Sequence, residues 1–248
     1  MLSVLHAPVL DGAIEAGGDP FDVQTEAGRE RLERLYLPQQ ADWLRINLIV
    51  SVSGSAAGTD GTSESLTNRT DRRILGVIRR QADLVLVGAA SVRAEGYRIP
   101  STTTLGIVTG TGDLTGHRID AEETGRLVVF CPSAAAARVA ATLPGCTVVE
   151  VPDEDGRLAP VALLAAARAT GARAIVCEGG PSLAAQLASI DAVDEVCLTT
   201  APMLTGTTLP SLGGTAFTPV ALRPGLLMTD ENGALYSRWL RSAPTPAP

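Results

Sequence analysis

The sequence predicts an α/β fold in which helices flank a mostly parallel central sheet and a C-terminal antiparallel hairpin closes it. Three observations predict this. Short apolar runs alternate with helical stretches through most of the chain, the pattern of βα units whose strands are covered on both faces. The C-terminal part breaks that alternation with two strand-like runs around Asp230-Glu-Asn-Gly233, and Asn232-Gly233 is a hairpin signal. Apolar residues make up 45% of the 248, enough for a sizeable core in one large domain or two small ones.

Residues 1–24 read as loop, with Pro8, Gly12, Gly17, Gly18 and Pro20. Residues 25–37 form a charged helix that Pro38 stops. The first strand spans 43–52, so 1–42 is expected to be an N-terminal extension with one helix and 43–241 the main domain. The Pro-rich residues 242–248 are expected to be a disordered tail. A polar Gly/Thr/Ser loop fills 53–68, after which Thr70 can cap a helix through 71–80 whose Ile74, Leu75 and Ile78 share one face. Strands follow at 83–88, 104–109, 126–131, 147–151, 173–177 and 195–200. Helices are expected from Ala89 and over 133–141, 160–170 and 181–189, and the hairpin strands over 225–229 and 234–240.

The net charge of -7 argues against a general nucleic-acid binder, which would show a basic face. No apolar run of about 18 residues exists, so no membrane span is expected. The N-terminus lacks the basic start of a signal peptide, and a cytoplasmic protein is the expectation. Cys131, Cys146, Cys177 and Cys197 are scattered without a CxxC pair, and His6 and His117 are the two histidines. Buried reduced thiols are therefore expected, with no metal site.

The stretch from Arg173 to Leu183 carries the chemistry. An apolar strand ends in Glu178-Gly179-Gly180, Pro181 stands where a helix begins, and Ser182 and Leu183 continue it. Glycines permit close backbone approach, proline at the first helical position sacrifices no useful donor, and free N–H groups with the helix dipole favour an anion. The same residues suit an ordinary strand-to-helix turn, and this stretch by itself leaves both readings open.

Three ordered segments resemble one family. They are Asn47-Leu-Ile-Val-Ser-Val-Ser-Gly54 with the loop Gly58-Thr-Asp-Gly-Thr-Ser63; Leu75 to Glu95, containing Asp83-Leu-Val-Leu-Val-Gly-Ala-Ala-Ser-Val92; and Glu178-Gly-Gly-Pro-Ser-Leu183 with residues 193–202 and Leu204-Thr-Gly206. Together, over about residues 43–240, they resemble the reductase domain of riboflavin biosynthesis, which has a dihydrofolate-reductase-like fold. Trp43-Leu-Arg-Ile-Asn47 and Val92-Arg-Ala-Glu-Gly-Tyr97 are similar to its stand-alone actinobacterial branch. The resemblance implies NADPH as cofactor, a ribosylaminopyrimidine phosphate as substrate, hydride transfer to the ribose C1′, and a homodimer. The His and Cys pattern of a zinc deaminase is absent, so deamination is not expected.

Carried over residue by residue, Gly179, Gly180, Pro181, Ser182 and Leu183 match the family's pyrophosphate turn, with Glu178 orienting it by accepting backbone N–H bonds. Gly88, Ala89, Ser91 and Val92 match the segment supporting the ribose and adenosine side, and Arg93 suits the 2′-phosphate because a guanidinium fork fits a phosphate. Thr109 and Gly110 end the next strand, where ligands gather in such sheets. On the substrate side stand Asn47, Ser51, Thr62, Ser63 and Arg98, with Asn47 able both to donate to and accept from a pyrimidine edge.

One position departs from the family. Where it normally reads Ser-Leu/Val-Asp-Gly, this chain has Ser51-Val52-Ser53-Gly54. Ser53 and Asn47 are the candidate catalytic positions, and a serine brings neither charge nor a base near neutral pH. Two readings follow: an NADPH-dependent reductase of a pyrimidine or pterin-like substrate, and an NADP(H)-binding homologue with weak or no turnover. A Rossmann dehydrogenase is disfavoured, since no Gly-x-Gly-x-x-Gly follows the first strand.

Overall fold

The computed structural model describes residues 1–8, 14–15, 19–97, 99–100, 102–206 and 209–242; Arg98 and the tail beyond Ser242 lie outside the described residues. The strands are β1 (Leu2–Pro8), β2 (Ile14–Glu15), β3 (Trp43–Ser51), β4 (Leu84–Gly88), β5 (Thr104–Val108), β6 (Leu127–Cys131), β7 (Thr147–Glu150), β8 (Asp153–Glu154), β9 (Arg157–Leu158), β10 (Ala174–Cys177), β11 (Glu195–Ala201), β12 (Leu222–Asp230) and β13 (Leu235–Arg241). The helices are α1 (Glu26–Leu35), α2 (Arg69–Arg80), α3 (Ala89–Glu95), α4 (Ser133–Thr142), α5 (Pro160–Ala169) and α6 (Pro181–Ser189).

One sheet runs in the order β2-β1-β12-β13-β11-β3-β10-β4-β5-β6-β7, while β8 and β9 form a separate small hairpin. From β11 through β7 every neighbouring pair is parallel; from β11 to β2 every pair is antiparallel. This is the expected architecture, including the terminal hairpin.

Period-two alternation sorts the core onto both faces of the sheet. Leu44, Ile46 and Leu48 of β3 join Leu84 and Leu86 of β4 against α5 and α6. Behind β4 and β5, Val85, Val87, Leu105 and Ile107 pack with Val92 and Val139 of α3 and α4. At the antiparallel end, Tyr36, Ile74, Val77 and Ile78 of the α1–α2 layer cover Cys197, Met228 and Tyr236. Among the described residues no helix is long and apolar enough to cross a membrane.

The sequence reading needs two corrections. Residues 2–8 are a strand, because Leu2 and Val4 alternate into the core and pair with β12, covering what would be its open edge. The cap of α2 is Asn68, whose side chain accepts the Asp71 N–H at 2.8 Å, so Thr70 lies inside the helix. Between β8 and β9 the chain turns at Asp155 and Gly156, which both take positive φ (52° and 76°).

Candidate active site

The parallel strands β4 and β10 lie side by side, so the helices that follow them begin together. Glu178 N donates to Leu86 O at 2.9 Å, and Gly88 N donates to Gly179 O at 2.8 Å, tying the two turns into one rim. Gly179 has φ +114°, a conformation that L side chains rarely adopt, and the Gly179–Gly180 peptide is cis. Gly180 is the N-cap of α6 with no side-chain cap, and Pro181 opens the helix. The first-turn N–H groups of Ser182 and Leu183 thus stand at an uncapped helix start, a positively polarised end suited to a phosphate.

The other predicted cofactor residues divide into two groups. Ser91 reaches the rim: its Oγ lies 3.4 Å from where a Cβ on Gly180 would stand. Ala89, Val92 and Leu183 bury their side chains in the core, leaving only backbone to offer. Thr109 spends its Oγ1 on the Gly112 N–H at 3.0 Å. Gly110 is explained by packing alone, since a Cβ there would lie 1.8 Å from the Gly156 carbonyl oxygen. Arg93 donates through one guanidinium nitrogen to the Asp113 carbonyl, which leaves its remaining N–H groups for an anion.

Glu178 orients the turn through different partners from those expected. Its side chain is 3% exposed and accepts from Arg79 Nε at 2.7 Å and Arg79 Nη2 at 2.6 Å, with Tyr97 Oη donating to it as well. Burial pushes the Glu178 carboxyl above the usual carboxylate range, and the Arg79 fork opposes that. The side chain is therefore consumed by a guanidinium and a phenol rather than by backbone N–H groups. Arg79 also stacks over the Tyr97 ring at 5.1 Å.

The end of β3 carries the second half of the site. Ser51 Oγ lies 2.8 Å from Ser53 Oγ and 3.0 Å from Thr205 Oγ1. Ser53 is exposed, Ser51 buried, and the Ser55 N–H donates to Ser51 Oγ at 3.2 Å. Asn47, earlier on the same strand, is half-buried, and among the described residues no hydrogen bond engages its amide. Thr62 and Ser63 are tied down: Thr62 Oγ1 donates to Asp60 at 2.8 Å, and Ser63 Oγ to Glu95 at 2.9 Å. The loop of residues 58–68 is thus latched to the end of α3.

Sequence reasoning missed Arg79, Tyr97 and Thr205. Thr205 stood within a quoted motif as one more hydroxyl, whereas Arg79 reads as an ordinary charged residue near a helix end. Among the described residues no cluster of three His, Cys, Asp or Glu side chains forms a metal site.

The RibD C-terminal domain family matches residues 42–236. No curated protein sequence matches the chain. Among solved structures, a pyrimidine reductase-like protein from Corynebacterium diphtheriae is similar with TM-score 0.68 and 23% identity, covering 86% of this chain and 99% of its own. The Thermotoga maritima diaminohydroxyphosphoribosylaminopyrimidine deaminase/5-amino-6-(5-phosphoribosylamino)uracil reductase is similar with TM-score 0.65 and 16% identity, covering 89% of this chain and 63% of its own. The Saccharomyces cerevisiae riboflavin biosynthesis reductase Rib7 gives 0.63 and 13%, covering 89% and 100%. At these identities the structures show a shared fold. The family match spans most of the chain, and the chain belongs to the RibD C-terminal domain family, that of the riboflavin-pathway pyrimidine reductases.

Proposed function

We propose that the protein is an NADPH-dependent reductase of a ribosylaminopyrimidine phosphate or a related pyrimidine, working as a cytoplasmic homodimer. The observation that carries this reading is the joined rim, in which Gly88 N bonds Gly179 O at 2.8 Å beside the uncapped start of α6. The residues present fit a dinucleotide phosphate: no side chain caps the helix, glycines line the turn, and Arg93 retains free donors. Ser182 and Leu183 would hold the pyrophosphate through backbone N–H groups, Gly88, Ala89 and Ser91 would border the ribose, and Arg93 would meet the 2′-phosphate. Thr109 and Gly110 would contribute backbone at the next strand end.

Bound there, NADPH supplies the hydride that reduces the ribose C1′ and opens the sugar to a ribityl chain. The chain's own part is to bind and orient. Asn47 offers the pyrimidine an amide with both donor and acceptor, while Ser51, Thr62, Ser63 and Arg98 complete the substrate side. Ser53 favours a second reading, an NADP(H)-binding homologue with weak turnover, because its hydroxyl is bound to Thr205 and carries no charge. Assays of NADPH oxidation with the ribosylaminopyrimidine phosphate, and in parallel with dihydrofolate, separate the two. Turnover on the phosphorylated pyrimidine supports the reductase; tight cofactor binding with no turnover on either substrate supports the homologue.

A further inference from the structure

The small β8–β9 hairpin stands outside the main sheet and carries no residue of the site described above. Leu158 anchors its base in the core that also holds Leu183 of α6, and the Gly156 carbonyl presses on Gly110 beyond the end of β5. Arg157 is exposed and stands in register opposite Glu154, where opposite charges on a hairpin attract. Yet among the described residues no carboxylate lies within ion-pair distance of its guanidinium. Its Nη1 donates instead to the Gly214 carbonyl at 3.4 Å.

That contact brings the charge to the cofactor rim. Gly213 N donates to Pro181 O at 3.3 Å, and a Cβ on Gly214 would stand 3.8 Å from Ser182 Oγ, so the Gly213–Gly214 loop lies against the first turn of α6. Arg157 therefore reaches from the end of β5 to the uncapped start of α6, along the line of strand ends β5, β4 and β10 that the dinucleotide would follow. Helix α6 holds no charged side chain from Pro181 to Ser189, and offers an anion only backbone N–H groups and its dipole. Arg93 belongs to α3, whose Val92 packs on the other face of the sheet, and turns to the Asp113 carbonyl. With one of its N–H donors on Gly214, Arg157 keeps the rest in a planar fork that fits phosphate oxygens.

We propose that Arg157 is a cofactor-binding residue, a second cation that holds the dinucleotide's pyrophosphate from the α6 face of the sheet. The inference rests on the NADPH reading above. Its test titrates NADPH and NADH into the full chain by calorimetry; the two share the pyrophosphate, and NADPH alone carries a 2′-phosphate. Arg157→Gln removes the charge and is expected to weaken both nucleotides by the same factor, about tenfold or more, with Tm unchanged because the side chain is exposed. Arg157→Lys keeps the charge without the fork and is expected to stay within about threefold of the wild type. Unchanged NADPH affinity in Arg157→Gln overturns the proposal. A loss confined to NADPH overturns it too, since that would mark the 2′-phosphate. So does a loss with a lowered Tm that Arg157→Lys fails to restore, which would mark a structural role. A wild-type protein that binds neither nucleotide removes the NADPH reading itself, a result distinct from either variant outcome.

Discussion

Ser53 Oγ donates to the Thr205 carbonyl at 3.1 Å and accepts the Thr205 N–H at the same distance, so one hydroxyl fastens the end of β3 to the loop after β11. Thr205 N–H and the Ser51 hydroxyl 2.8 Å away are also donors that a carboxylate would accept. Ser53→Asp is therefore expected to fold normally and to restore the family's charge at this point. General acid–base groups contribute typically ~10²–10⁴ in rate, so turnover on the ribosylaminopyrimidine phosphate should rise by about 10² or more. NADPH affinity should not change, because the rim proposed for the cofactor lies at the ends of β4 and β10. Steady-state kinetics beside an NADPH titration check both halves of this expectation.

A buried ion cluster sets stability at acid pH. Glu195 is fully buried and accepts from Arg238 Nε at 2.6 Å, Arg45 at 3.0 Å and Trp43 Nε1 at 2.7 Å. Arg45 and Arg238 also donate to the last carbonyls of α1 and its C-cap, Leu35 and Tyr36, fixing that helix to the sheet. Burial would raise the Glu195 carboxyl, but Arg45 and Arg238 outweigh it and hold it at about 2. Since the folded carboxyl sits below its ordinary 4.5, its contribution is present above that pH and is lost as pH falls toward about 2. Breaking a buried pair costs about 3–5 kcal/mol, so Glu195→Gln should lower Tm at neutral pH by roughly 6–20 °C. The variant's stability should also vary less with pH below about 4.5, as thermal melts across pH 2–7 would record.

Gly110 is held to glycine by a neighbour. A Cβ there would meet the Gly156 carbonyl oxygen at 1.8 Å, and that backbone belongs to the β8–β9 turn. Gly110→Ala must displace the hairpin, with an overpacking cost of about 1–3 kcal/mol and a Tm drop of roughly 2–12 °C. Hydrogen exchange should show the loss of protection at residues 153–158. A variant as stable and as protected as the wild type would mean that this contact is not made in solution.

The four thiols should be inert in the folded protein. Cys131, Cys177 and Cys197 are buried and Cys146 half-buried. Burial pushes the Cys177 thiol up to about 12 and raises the other three. The thiolate is the reactive form, so a disulfide reagent at pH 8 should reach Cys146 alone, and slowly. All four should react in denaturant, as counted by absorbance.

The parallel half of the fold was legible because each buried strand is a compact apolar run followed by its own helix, a local pattern. The turn at Glu178-Gly179-Gly180 was legible for the same reason. What escaped was long-range. Leu2–Pro8 looks like loop until β12 pairs with it, and nothing near Leu2 announces a partner as far along the chain as Asp230. Arg79 meets Glu178 across 99 residues, so its role as the turn's anchor had no local trace. The Asp155-Gly156 step was a hairpin signal in plain view, flanked by strands of only two residues each, too short to show a period.

The central claim is hydride transfer from NADPH to the sugar of a phosphorylated pyrimidine, and isotope transfer tests it most directly. The protein is incubated with 5-amino-6-(5-phosphoribosylamino)uracil and NADPH deuterated at nicotinamide C4, in separate samples for each face, and the product mass is read. The account predicts a ribityl product carrying one deuterium from one of the two cofactors and none from the other. NADPH that binds yet yields no labelled ribityl product from either would contradict it.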